Sequence, residues 1–152
     1  GIKKAADAAA VLTGSFLNAS ACARAAWRMQ RDIVLICSGT ENTFALEDGL
    51  CAGCIAHAVR MAACGENVEL GDFAAAMENA YTAAAYRLED DLRRSASGRR
   101  LARIGREDDI AYCAAVDLLD VVPVLTGESL LPLGETDGEP ELKADPLRRA
   151  VF

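Results

Sequence analysis

The feature that most restricts this chain is the uninterrupted apolar run Ile33-Val34-Leu35-Ile36-Cys37, entered from Asp32 and left through Ser38-Gly39-Thr40. A run of this kind, without polar alternation, is the pattern of a parallel strand covered on both faces. Parallel neighbours need crossover connections, so helices should flank the run. They do in the pattern. Apolar residues from about Leu46 to Ala63 recur at helical spacing and stop at Gly65.

The same unit occurs upstream. Residues 2–10 are helical by propensity, Val11-Leu12-Thr13-Gly14-Ser15 reads as a short strand, and Asn18 or Ser20 caps a helix through Met29. Downstream, Asp72 caps a long helix with Phe73, Met77, Tyr81, Ala84 and Leu88 as its core stripe and Glu78, Glu89, Asp91 and Arg93 facing water. That helix frays through Ser95-Ala96-Ser97-Gly98, and a basic turn leads to a helix over residues 108–116. Val121-Val122-Pro123-Val124-Leu125 is a last strand, Pro123 marking a sheet edge or strand end. The fold class expected is α/β: strand–loop–helix units around a mostly parallel sheet. Residues 1–126 form that domain and residues 127–152 a loop-rich C-terminal tail. In such a sheet, ligands bind outside the C-terminal strand ends, where both glycine-containing loops fall.

Charge narrows the partners. Sixteen basic against twenty-three acidic residues give a net charge of −7, which repels a nucleic-acid backbone. A small anionic substrate would need local backbone N–H groups, an arginine or a divalent cation. Six cysteines in alanine- and leucine-rich surroundings read as free thiols, and no segment has the length of a membrane span, so no membrane partner and a cytoplasmic location are expected.

Two loops are candidates for chemistry. In the first, Gly14, Ser15 and Asn18 precede a helix and can present N–H groups to a phosphate or sulfonate, but an ordinary turn with Asn18 as cap has the same sequence. In the second, Ser38, Gly39 and Thr40 follow the apolar strand, and Glu47 and Asp48 open the next helix. Two adjacent acids there are equally explained by the helix dipole, worth about 0.3–1 kcal/mol each, and by cation binding. Other features read blandly. Cys51, Cys54 and His57 have knuckle spacing without a second ligand pair, so the thiols are packing groups and His57 a helix-surface or satisfied core residue. The arginines at 93, 94, 99, 100 and 103 read as a solvated face that could reach an anion.

The stretch Ser38-Gly39-Thr40-Glu41-Asn42-Thr43-Phe44-Ala45-Leu46-Glu47-Asp48-Gly49-Leu50-Cys51-Ala52-Gly53 resembles the signature of the 2-phosphosulfolactate phosphatases. Residues 11–20 resemble that family's preceding loop, and Asp109-Ile110-Ala111-Tyr112-Cys113 with Asp117 and Asp120-Val121-Val122-Pro123 resembles its C-terminal segment. The resemblance implies magnesium-dependent hydrolysis of 2-phosphosulfolactate to sulfolactate and phosphate, a step toward coenzyme M. It implies Mg2+ at Glu47 and Asp48, as ligands or positioners of the attacking water. Gly14, Ser15, Asn18, Ser38, Gly39 and Thr40 would then cradle the substrate, a small phosphorylated and sulfonated hydroxy acid. The family's early strand with its Asp-Val-Leu-Arg-type segment has no match here, so the chain reads as a C-terminal piece, with an N-terminal fragment of the same protein and a second copy as further partners. The competing expectation is a non-catalytic small-anion-binding or subunit-interface domain using the same loops.

Overall fold

The computed structural model describes residues 2, 5 and 7–134 and the backbone of residues 149–151. Within them the protein is mixed α/β and mainly helical: α1 (Ala19–Arg28), α2 (Leu46–Ala62), α3 (Asp72–Ala84), α4 (Leu88–Arg94), α5 (Ala96–Arg103) and α6 (Asp108–Cys113). The strands are short. Strands β1 (Ile33–Val34) and β2 (Glu69–Leu70) each pair in parallel with β5 (Arg149–Val151), in the order β1-β5-β2. A separate antiparallel hairpin joins β3 (Pro123–Thr126) to β4 (Ser129–Pro132).

Helix α2 is the centre of the molecule, packed between α1 and α3. Its small residues explain the closeness of that packing. Gly49, Ala52, Gly53 and Ala56 are buried along it, and a Cβ added at Gly53 would collide with the Met77 carbonyl of α3. Phe16, Leu50, Cys54, Ile55, Val59, Leu88, Leu92 and Ile110 form the main core, joining α2 to α4 and α6. At about 25 cal/mol per Å² of apolar surface, each large member contributes roughly 1.5–3 kcal/mol. A second small cluster of Ala21, Cys22, Ala25 and Val122, with Leu12 against it, fastens α1 to the segment before β3.

Among the described residues the strands form two small sheets beside this helical body, one parallel and one antiparallel, and not one large parallel sheet. Only Ile33 and Val34 of the apolar run are in a ladder. Beyond them the side chains still alternate: Leu35 and Cys37 are half-buried, Val34 and Ile36 are each 58% exposed. One face therefore has its helical cover, and the other is open among the described residues. Val11–Ser15 is likewise no parallel strand; Leu12 makes an isolated antiparallel bridge to Val124, with Thr13 N donating to Pro123 O at 2.8 Å. The helix expected over residues 2–10 is a series of turns and bends where it is described.

The helix over 72–88 also differs. It breaks into α3, a 3-10 turn at Ala85–Arg87 and α4, and its N-cap is Gly71, one residue earlier than expected. Phe73, placed in the core stripe, is 50% exposed. Glu78, placed in water, is buried at 7% exposure because it bridges two basic groups of α2: His57 Nδ1 lies 3.2 Å from Oε1 and Arg60 Nη1 donates to Oε2 at 3.0 Å. Residues 95–103 do not fray. Ser95 Oγ accepts the Gly98 N–H at 3.0 Å and caps α5, whose Leu101 packs on the main core. The last helix ends at Cys113 rather than 116. The last strand starts at Pro123, as its missing N–H requires. Of the tail, residues 127–132 supply the turn and second strand of the hairpin, and the expectation for 135–148 and 152 lies outside the described residues. No helix of the described residues is long and apolar enough to cross a membrane.

Candidate functional site

The Ser38–Asp48 segment runs from the end of the apolar run into the first turn of α2. Its geometry is set by three left-handed residues: Gly39 (φ 68), Glu41 (φ 52) and Asn42 (φ 61). Positive φ at both Glu41 and Asn42 makes a two-residue reversal, closed by Thr40 and Thr43 exchanging hydrogen bonds at 3.1 and 2.9 Å. Thr43 Oγ1 adds a 2.6 Å bond to the Thr40 carbonyl. Glycine is required at 39, since a Cβ there would strike the Thr43 carbonyl and φ is left-handed besides.

The two acids play different parts. Asp48 Oδ2 accepts the Gly39 N–H at 2.6 Å, pinning the loop back onto the helix start, and Cys37 Sγ donates to the Asp48 carbonyl at 3.4 Å. Glu47, half-buried beside it, has no hydrogen-bond or ion-pair partner among the described residues. A half-buried carboxylate without a partner keeps its full capacity to accept. Neither acid has a third His, Cys, Asp or Glu grouped with it in a metal-holding cluster among the described residues. Two carboxylates suit magnesium, which is usually held by one or two and completes its shell with water and substrate phosphate. As hard oxygen donors they suit that ion by type, whereas the helix N-terminus itself favours the phosphate over the cation.

The loop's own donors are partly committed. The Gly39 N–H is held by Asp48 and the Thr40 N–H by Thr43. Exposed Ser38 and the Thr40 hydroxyl make no hydrogen bond to the described residues and face solvent. An anion arriving here would meet these groups first.

The Gly14–Asn18 loop is knit more tightly. The Asn18 amide donates to Thr13 O at 3.1 Å and Val121 O at 2.8 Å, and its Oδ1 accepts both the Ser15 N–H (2.8 Å) and Ser15 Oγ–H (3.1 Å). The N-terminus of α1 is occupied as well: Asp117 accepts the Ser20 N–H at 2.7 Å and the Ser20 hydroxyl at 2.6 Å. A carboxylate of the protein itself sits where an anion would. Gly14 is glycine for packing, because a Cβ there would press on Ile55 Cδ1 at 2.6 Å and Cys22 Sγ at 3.2 Å. In the sequence Asp117 stands out only within the segment that resembles the phosphatase family's C-terminal part; with φ 58 it turns the chain back onto α1, a role no local spacing announces.

The thiols between the loops are inert. Burial pushes Cys51 up to about 12, helped by the negative field of Cys54, Asp48, Cys37 and Cys22, and burial pushes Cys22 and Cys54 up to about 11. Nucleophilic and metal-binding cysteines need the opposite shift, so the knuckle spacing of Cys51 and Cys54 serves packing, as expected. All six cysteines are free. His57, paired with Glu78, stands half-exposed with a satisfied ring nitrogen.

Comparison with known proteins adds a second line. Residues 1–128 match the family described as 2-phosphosulpholactate phosphatase. The probable 2-phosphosulfolactate phosphatase of Symbiobacterium thermophilum is 37% identical over 125 residues, covering 82% of this chain and 53% of that protein. Its namesakes in Carboxydothermus hydrogenoformans and Thermotoga maritima are 38% identical over 122 residues and 35% over 115, covering 80% and 76% of this chain and 49% and 48% of theirs. The chain thus spans about half the length of the curated relatives it matches.

Proposed function

The chain belongs to the 2-phosphosulfolactate phosphatase family, and from that premise we propose that it forms the Ser38–Asp48 wall of a phosphoric monoester hydrolase acting on 2-phosphosulfolactate. The observation that carries the reading is the pair of acids opening α2: Asp48 locks the loop through Gly39 while Glu47 is left half-buried and unpartnered among the described residues. A helix-start acid kept only for the dipole has no need of that arrangement.

Glu47 and Asp48 would hold Mg2+, which when bound neutralises phosphate charge and lowers the pKa of bound water. The rest falls to the protein's own groups. The Ser38 and Thr40 hydroxyls orient the phosphate against the helix N-terminus, whose N–H groups favour negative charge. Gly14, Ser15 and Asn18 support the neighbouring wall, Asn18 by holding Thr13 and Val121 in place. Hydrolysis replaces the ester P–O bond with one from water, and the departing C2 oxygen takes a proton, leaving sulfolactate and phosphate. Phosphoryl transfer asks a protein mainly for such positioning and charge stabilisation. The product places the reaction on a route toward coenzyme M, in a cytoplasmic protein. The parallel pairings of β1 and β2 with β5 support a larger, mostly parallel sheet, completed by an N-terminal fragment of the same protein or a second copy.

The test is phosphate release from 2-phosphosulfolactate, with the chain alone and mixed with the portion of the Symbiobacterium thermophilum relative that it does not match. Release that requires magnesium and stops with chelator is expected in the mixture at least. Calorimetric binding that survives chelator, with no phosphate released in either arm, would instead make this a small-anion-binding domain.

A further inference from the structure

The Ser38–Asp48 wall is acidic at three points, Glu41, Glu47 and Asp48. The proposed substrate is a polyanion: a phosphate monoester of roughly two negative charges near pH 7, with a sulfonate and a carboxylate besides. One divalent cation balances the acids of the wall at most, and the protein's net charge of −7 gives no help from a distance. A fixed cation near the loop is therefore needed for the group that is not transferred.

The structure brings one there. Arg100 Nη1 lies 3.6 Å from Glu41 Oε1, at the tip of the Thr40–Thr43 reversal, and both side chains are largely exposed. This approach is built by α5. Ser95 caps that helix, glycine at 98 lets it sit against the Leu92 and Arg93 carbonyls, and Leu101 anchors it in the core. Of the rest of the basic cluster, Arg93 pairs with Glu89 and Arg99 donates to the Arg94 carbonyl. At 3.6 Å and in solvent the Glu41 pair is weak, so Glu41 can be exchanged for a better anion. A guanidinium offers two parallel donors to a carboxylate-like group, which a lysine cannot reproduce.

We propose that Arg100 is the specificity-determining residue for the substrate's non-transferred anionic group, with Glu41 as the resting partner that the substrate displaces. The inference rests on the phosphatase reading of the loop. It assigns Arg100 to sulfonate or carboxylate, not to the phosphate.

Reaction products test this without turnover. Sulfolactate, lactate (no sulfonate), isethionate (no carboxylate) and inorganic phosphate are titrated in turn into the whole chain, followed by amide NMR shifts of Ser38–Asp48. Arg100→Ala should weaken sulfolactate about tenfold or more and leave phosphate within about twofold, a charge-assisted bond being worth that much. Arg100→Lys should recover only part of the loss, and Glu41→Gln should tighten sulfolactate. Loss confined to isethionate and sulfolactate identifies the sulfonate, and loss confined to lactate and sulfolactate the carboxylate; either supports the assignment. Unchanged sulfolactate binding in Arg100→Ala, or an equal loss for phosphate, overturns it. If phosphate moves none of the Ser38–Asp48 amides in the wild type, the reading of the loop itself fails.

Discussion

Replacing the two adjacent acids one at a time separates their roles. Asp48 makes a 2.6 Å charge-assisted bond to the Gly39 N–H, while Glu47 makes none to the described residues. A hydrogen bond to a charged group contributes about 1.5–3 kcal/mol. In Asp48→Asn the amide would keep an acceptor oxygen but lose the charge, forfeiting roughly half of that, and the dipole interaction of about 0.3–1 kcal/mol would go with it. Asp48→Asn should thus cost about 1–2 kcal/mol, and Glu47→Gln only the dipole share. For a chain of 152 residues these correspond to melting shifts of about 3–6 °C and at most about 3 °C. Urea unfolding followed by circular dichroism measures both. Half-molar salt should erase most of the Glu47→Gln effect by screening and leave the Asp48→Asn loss largely in place. In a magnesium titration both variants should bind more weakly than the parent. Equal stability losses at the two positions, with magnesium binding untouched, would refute the division of labour and return both acids to simple dipole partners.

Two further outcomes follow from the packing. Gly53→Ala should destabilise by about 2 kcal/mol or more despite alanine's higher helix propensity of about 1 kcal/mol, because the new methyl meets the fixed Met77 carbonyl and must part α2 from α3; a neutral or higher melting temperature would contradict that contact. The buried thiols make stability fall in alkali. Unfolded cysteine ionises near pH 8.5, whereas burial holds Cys22 and Cys54 up to about 11 and Cys51 up to about 12. The raised thiols stabilise fully below about pH 8.5, and their contribution is lost as pH rises toward 11–12, at up to about 1.4 kcal/mol per pH unit for each group. Urea midpoints at pH 8, 9 and 10 should decline, and Cys22→Ala should flatten the decline; a constant midpoint would exclude it.

Local chemistry was legible in the sequence. The course of α2 from Leu46 to Ala62, one residue short of the expected Ala63, followed from apolar spacing, although the left-handed turn that ends it begins at Cys64 (φ 49) and not at Gly65 (φ 96). Pro123 near a strand end was readable for the same reason, since it depends on that residue's own backbone; the packing thiols and the satisfied His57 were expected from their surroundings but rest on burial and on the Glu78 contact. The Ser38–Asp48 motif was long enough to name its family, which matching residues 1–128 then established.

Tertiary contacts decided the rest. Spacing put Glu78 in water, but the Arg60 guanidinium and the His57 ring of another helix supply the partners that let it be buried. The apolar run asked for cover on two faces, and a side chain cannot specify whether its second neighbour is present; Val34 and Ile36 have none among the described residues. Periodicity left Glu47 and Asp48 equivalent. Only the reversal at Glu41 and Asn42, which brings the Gly39 N–H back onto Asp48, made one acid a clamp and left the other without a partner among the described residues, because such a bond spans nine residues and exists only once the loop has closed.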